Sequence, residues 1–105
     1  MGMDPFKPYT PSRRAAPAPR IAGPEDAQAV ALQAVAFIAA DEDLLPRFVA
    51  LTGCGADEIR RRIGDPAFLG GVLDFVLADE PTLLAFAEAA GLAPETPMVA
   101  RGKLP

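Results

Sequence analysis

The most distinctive chemistry in this chain is carried by three consecutive arginines: Arg60, Arg61 and Arg62. They fall within residues 48–63, a segment that resembles a helix-turn-helix with Gly53 in its turn. Arginines on the second helix of that motif contact phosphates and the edges of guanine bases. The segment therefore raises the hypothesis of a DNA-binding regulator whose contact residues are the three arginines.

Two acids on the same segment favour a different interpretation. A helix over residues 57–63 begins with Asp57 and Glu58, so negative charge lies at the end that would meet base edges. Asp57 precedes Arg61 by four residues, the spacing that favours an ion pair on a helix. Glu58 and Arg62 have the same spacing. We expect a solvated helix whose arginines pair with its own acids, with DNA binding as the alternative.

Neighbouring acids recur along the chain, and paired carboxylates can bind metal ions or transfer protons. They are Glu25-Asp26, Asp41-Glu42-Asp43, Asp57-Glu58 and Asp79-Glu80. Each set lies where a helix is expected to begin, and backbone amides and the helix dipole stabilise anions there. The chain has no His, the usual side chain for proton transfer near neutral pH and the commonest metal ligand. We predict helix caps, no catalytic, cofactor-binding or metal-binding residues, and no enzyme.

The cysteine content and the hydropathy indicate a cellular location. Cys54 is the only cysteine, so it cannot form an intrachain disulfide, and a reducing compartment fits best. We expect it to be a small buried side chain. The most apolar run, residues 29–40, is shorter than the roughly 20 residues needed to cross a membrane. The sequence therefore predicts a cytoplasmic protein with no membrane partner.

The first part of the chain differs from the rest in composition and in charge. Residues 1–24 contain six prolines and carry four basic side chains against one acid, a balance of +3. Residues 25–105 carry six basic and thirteen acidic side chains, a balance of −7. Proline fixes φ and removes amide donors, so residues 1–23 are predicted to form a disordered basic arm. The acidic remainder should repel nucleic acid, so we expect an unidentified protein partner instead.

Residues 24–105 are predicted to form one all-α domain. Ala and Leu dominate the composition, and prolines, acids and glycines mark helix ends at regular intervals. We expect a compact five-helix bundle over residues 24–92, with the first and fourth helices most buried and a frayed C-terminus. Its core should contain four rings that each touch another: Phe37, Phe48, Phe75 and Phe86. Ile59 and Ile63 should anchor the third helix.

Gly70-Gly71 interrupts the fourth predicted helix, and each glycine costs about 1 kcal/mol against Ala in a helix interior. Another helix approaching closely would explain the pair. We expect the first helix to make that approach through Ala31 or Ala34, and a kink is the alternative explanation.

The two halves of the domain resemble each other. Residues 27–64 align without a gap to residues 65–102, with nine identities in 38 positions. Each half reads as a long helix, a second helix and a short helix, and neither can bury its apolar face alone. The sequence leaves two explanations open, namely two stacked 38-residue repeats or two helix pairs that merely share similar caps.

Two blocks carry a resemblance to a known family: DEDLLPRFVALTG at 41–53 and GDPAFLGGVLDFVLADE at 64–80. The chain resembles a family of small bacterial proteins that is known only as a domain of unknown function, over roughly residues 25–92. The resemblance implies a compact helical unit and brings no catalytic or binding residue. We expect a non-enzymatic interaction or adaptor module.

Overall fold

The computed structural model describes residues 21–105, and every regular element in that range is an α-helix. The helices are α1 (Pro24–Ala40), α2 (Leu44–Thr52), α3 (Ala56–Arg62), α4 (Pro66–Leu77), α5 (Glu80–Ala90) and α6 (Thr96–Arg101). The all-α class is confirmed, and the described residues form six helices where the sequence predicted five. The sequence predicted a disordered arm over residues 1–23. Residues 1–20 of that arm lie outside the described part of the chain, so their disorder stays a prediction.

Prolines and aspartates begin the helices, as the sequence predicted. Pro24 and Pro66 stand in the first turns of α1 and α4, where a helix does not need the amide that proline lacks. The Asp65 carboxylate accepts a hydrogen bond from the amide two residues later, at 3.0 Å. Asp79 accepts one from the Thr82 amide at 3.1 Å and one from its hydroxyl at 2.5 Å. These contacts satisfy amides that have no partner within their own helix.

Glycines end α2 and α5. Gly53 and Gly91 have φ values of 74° and 70°, in the left-handed region that glycine enters without a steric penalty. The Leu92 amide donates to the Ala87 carbonyl at 2.8 Å, and the Leu92 side chain is buried. The chain therefore turns back onto α5.

The core lies between α1 and α4, which confirms that these helices are the most buried. α1 packs against α2, α4, α5 and α6, and α4 packs against α1, α5 and α6. Their buried side chains are Ala27, Val30, Ala31, Ala34 and Ile38 of α1, and Phe68, Leu69, Val72, Leu73 and Val76 of α4. The small alanines of α1 allow the two helix backbones to approach closely.

Four phenylalanines join the two halves of the chain. The Phe37 and Phe86 ring centroids are 5.6 Å apart, and those of Phe48 and Phe75 are 5.2 Å apart. The prediction that each ring touches another is confirmed. A shift of 38 residues exchanges the two pairs, so each half contributes one ring to each pair. Such reciprocal contacts are typical of two-fold symmetry.

The order of the helices also follows the predicted repeat, since α1–α3 and α4–α6 each run long, intermediate, short. Asp41 accepts hydrogen bonds from the Asp43 and Leu44 amides at 2.8 and 3.0 Å, and its counterpart Asp79, the N-cap of α5, likewise accepts the amide three residues later. The symmetry is incomplete, because α6 packs against both central helices while α3 packs only loosely on the rest. A duplication as the origin of the two halves stays a prediction.

The predicted fraying after residue 92 is wrong. Residues 96–101 form α6, whose Ala100 is fully buried, and Leu104 beyond it is also buried. The sequence allows only a short turn of helix between Pro94 and Gly102, and Pro97 stands in the first turn of α6, where proline is tolerated. Contacts with α1 and α4 then stabilise a helix that is short on its own.

The expected partner of Gly70 is also wrong. A Cβ at Gly70 would lie 2.8 Å from the Pro105 oxygen and 3.0 Å from Nη1 of Arg101, so the C-terminal segment makes the close approach and α1 does not. Arg101 holds this segment, because its Nη1 donates to the Leu104 and Pro105 oxygens at 3.1 Å. Its Nε donates to Asp74 at 2.7 Å, and this hydrogen bond raises the pKa of Arg101.

Candidate functional site

The corner between α2 and α3 positions the three arginines. After Gly53, the Thr52 side chain bridges the turn: its hydroxyl donates to the Phe48 carbonyl at 2.7 Å and accepts from the Cys54 amide at 3.1 Å. Cys54 is 7% exposed and belongs to the hydrophobic core. The prediction of a small buried cysteine is confirmed.

The arginines of α3 pair with acids of the same helix. Arg60 donates to Asp57 at 2.8 Å, and Arg61 forms an ion pair with Glu58. Nε of Arg62 lies 3.8 Å from the same Glu58 carboxylate. The predicted pairing of Glu58 with Arg62 is therefore confirmed, whereas that of Asp57 with Arg61 is wrong. Asp57 and Glu58 each form their shortest ion pair with the arginine three residues later. Residues three apart also lie on the same face of a helix.

Arg62 differs from the other two arginines because it packs against the core. Its guanidinium carbon lies 5.4 Å from the centroid of the Phe68 ring, and its Nη1 lies 3.7 Å from the Cys54 sulfur. A guanidinium over an aromatic face at this distance is worth about 0.5–1 kcal/mol at an exposed site. Arg62 therefore ties the corner to α4, and Arg60 and Arg61 are the arginines that face outward.

An apolar depression lies beside Arg60, between α1, α2 and α3. It has a volume of about 240 Å³ and is lined by Val35, Ala39, Leu45, Ala56, Ile59, Arg60 and Ile63. Arg60 contributes the only charged side chain of this lining. The loose packing of α3 leaves the depression open, since no other described helix covers it.

Ile63 is the residue that the sequence interpretation placed wrongly. We expected it to anchor α3 together with Ile59, but Ile59 is 9% exposed and Ile63 is 38% exposed. α3 ends at Arg62, so Ile63 follows the last helical residue and lies at the margin of the depression. The apolar spacing was visible in the sequence, but the neighbours that would cover Ile63 were not.

The predicted capping is confirmed for two of the four acid sets, whereas Glu25-Asp26 and Asp57-Glu58 make no cap hydrogen bond to their helices. Asp41 and Asp79 accept backbone amides, and Asp26 accepts the Ala22 amide at 3.0 Å. The hydrogen bonds from Thr82, together with the nearby Arg47 guanidinium, lower the pKa of Asp79. Among residues 21–105, no three acidic or cysteine side chains gather in a way that could hold a metal ion.

The comparisons agree with the helical unit seen in the structure. No helix within the described residues is long and apolar enough to cross a membrane. No curated protein and no solved structure matches the chain. A family model matches residues 24–105, which confirms the resemblance found in the sequence and extends it beyond residue 92 to include α6. The chain belongs to the family described as protein of unknown function (DUF3572).

Proposed function

We propose that this protein is a non-enzymatic helical adaptor that binds a partner protein through the depression between α1, α2 and α3. The observation that carries the proposal is an open site lined by six apolar side chains and a single arginine. Burial of apolar surface is the main favourable term in most protein associations. A site of this size accepts one or two apolar side chains of a partner.

Ile63 gives the depression its exposed apolar margin. A side chain that is 38% exposed loses its remaining contact with water when a partner covers it. Apolar surface removed from water contributes about 25 cal/mol per Å². Arg60, which lines the same depression, is of a residue type that is enriched at binding hot spots.

Arg60 adds a preference for an acidic partner. Its ion pair with Asp57 joins side chains that are 71% and 81% exposed, and exposed pairs contribute only about 0–1 kcal/mol. A partner carboxylate can therefore replace Asp57 at little cost. The partner that fits is an amphipathic segment with an acid next to its apolar side chains.

DNA binding through residues 48–63 is the second candidate function. It would require the outward arginines to exchange Asp57 and Glu58 for phosphates. Phosphate contacts make no use of an apolar depression, and the net charge of residues 25–105 is −7. The adaptor proposal accounts for both the arginine and the apolar lining, so we rank it first.

The cytoplasm of a bacterial cell is the location that we propose with this function. The support comes from the single cysteine, which is buried as a free thiol. A protein without disulfides is suited to a reducing compartment.

The proposal is tested by comparing three full-length variants as baits in extracts of the native cell. Ile63→Glu and Arg60→Glu change the depression, while Leu84→Glu changes a similarly exposed apolar residue on α5. We expect proteins retained by the unmodified chain to be lost from the first two baits and kept by the third. Circular dichroism confirms that each bait is folded.

Two results would count against this function. Equal retention by Ile63→Glu and Leu84→Glu would show that the depression is not the binding surface. Binding of an arbitrary DNA duplex that weakens steeply with salt and with Arg61→Ala would favour the DNA-binding candidate instead.

A further inference from the structure

A second apolar groove lies between α1 and α5, on a part of the domain that the proposed adaptor site does not use. Its first part, of about 270 Å³, is lined by Ile21, Asp26, Ala29, Val30, Gln33, Ala90 and Leu92. Its second part, of about 320 Å³, is lined by Gln33, Ala36, Phe37, Phe86, Ala89 and Ala90. Gln33 and Ala90 line both parts, so the groove is continuous. Alanines on both sides leave the Phe37 ring partly exposed at the far end of the groove, where it packs on the buried Phe86 ring.

The beginning of the described chain already enters this groove. The half-buried Ile21 packs against the core and lines the first part of the groove together with Gln33, a residue well inside α1. The Ala22 amide donates to the Asp26 carboxylate at 3.0 Å. The chain therefore folds back against α1 at Ile21, which points the end of the described chain toward the groove.

We propose that residues 14–20 of the same chain occupy the rest of the groove, running antiparallel to α1 toward the Phe37–Phe86 pair. These residues are Arg-Ala-Ala-Pro-Ala-Pro-Arg, so the five between the two arginines have no polar side chain. An extended proline-containing segment docks well in an aromatic-lined groove, because its backbone is already ordered before it binds. Small side chains suit the alanine-lined walls.

The lengths of the segment and the groove agree. Seven residues from position 21 back to position 14 span about 22 Å at about 3.1 Å per residue in the polyproline II conformation. The fifteen residues from Asp26 to Asp41 span about 22 Å at 1.5 Å per residue of helix. Ile21 lines the groove with α1 residues from Asp26 to Gln33, so the segment reaches the C-terminal end of α1 at or before Arg14.

Charge favours the same direction. Arg14 at the far end of the segment follows Arg13. These two arginines would lie close to the exposed acids Glu42 and Asp43, which follow the C-terminal end of α1. Residues 1–24 carry +3 and residues 25–105 carry −7, so the arm and the domain attract each other. The sequence alone predicted a disordered arm over residues 1–23. Under this proposal, residues 14–20 of that arm are docked on the domain.

A spin label at position 16 of the full-length chain tests the proposal. Ala16→Cys is prepared together with Cys54→Ala, so that the nitroxide has one attachment site. A tethered segment has an effective concentration in the millimolar range, so an intrinsic Kd of about 1 mM keeps it docked about half of the time. While the segment is docked, the nitroxide broadens the NMR signals of nearby amides. We expect broadening at Gln33, Ala36 and Ala89, and little at α3.

Two exposed residues on different sides of α5 supply the control. Ala89→Arg fills the groove and repels the arginines of the arm, so it should abolish the broadening, whereas Leu84→Arg, away from the groove, should leave it unchanged. Contacts between proline protons and the Phe37 ring in the unmodified chain give a second measurement that needs no substitution.

Either of two results overturns the proposal. Groove amides that keep their full intensity, without proline contacts at Phe37, would show that the segment does not dock. Broadening that also occurs between a spin-labelled chain and a separate isotope-enriched chain would assign the groove to the arm of a second copy.

Discussion

The adjacent glycines of α4 should respond in opposite ways to the same substitution. Gly71 is exposed and a Cβ there meets nothing within 4 Å, whereas a Cβ at Gly70 would lie 2.8 Å from the Pro105 oxygen. Contacts under 3.0 Å essentially do not occur for real Cβ atoms. We therefore expect Gly71→Ala to stabilise the protein and Gly70→Ala to destabilise it.

The expected magnitudes follow from the contacts that each change affects. Gly71→Ala gains about 0.4–1 kcal/mol, because alanine restricts the unfolded chain without strain in the helix. Gly70→Ala has the same gain but displaces the C-terminal segment held by Arg101. Loss of hydrogen bonds to a charged group costs about 1.5–3 kcal/mol. The two variants should differ by about 2 kcal/mol in the free energy of unfolding.

Urea unfolding followed by circular dichroism measures this difference, since the chain has no Trp. Deletion of Pro105 removes the oxygen closest to Gly70, and the remaining close contact, at 3.0 Å, is with the end of the flexible Arg101 side chain. The penalty of Gly70→Ala should therefore fall in that shortened chain. Equal stabilisation by the two alanines in the full chain would refute the close approach. A Gly70 penalty that persists unchanged without Pro105 would show that another contact causes it.

Two further predictions concern the core and a helix cap. Phe48→Ala should cost roughly 3–5 kcal/mol, because Phe48 is 2% exposed and packs edge-on against the Phe68 and Phe75 rings; a cost under 1 kcal/mol in urea unfolding would contradict this. Asp79 has a lowered pKa in the folded state, mainly through the hydrogen bond from Thr82. Its stabilising contribution is therefore complete above its unfolded pKa of about 4 and is lost as the pH falls through the lowered value. Between about pH 5 and pH 2, the free energy of unfolding should depend less steeply on pH in Asp79→Ala than in the unmodified chain. The same pH dependence in both proteins would exclude this cap as a contributor.

The helix ends were predictable because local chemistry determines them. Asp65 and Asp79 cap through their own carboxylates, and Gly53 and Gly91 supply left-handed φ values. The stability of α6 could not be predicted in this way, because it comes from burying Ala100 against helices that are distant in sequence. Local pattern predicted five helices in the bundle and only a short turn of helix after them, and tertiary packing makes that turn a stable sixth helix.

The site was only partly predictable for a related reason. The arginines and acids of α3 were correctly placed on one solvated helix, yet the pairs that form depend on side-chain positions that a spacing rule cannot distinguish. Likewise, the spacing of Ile59 and Ile63 indicates a shared face but not which helix covers it. The depression exists because the described helices cover Ile63 only in part, and that is a property of the assembled fold.

Photo-crosslinking in the native cell tests the central claim, that the depression binds a partner protein, most directly. A photoreactive residue replaces Ile63 in one full-length variant and the similarly exposed Leu84 in another. We predict a discrete crosslinked protein species from position 63 that is absent from position 84 and that disappears when Arg60→Glu is added. No crosslink at position 63, or the same crosslinked species at both positions, would contradict the account.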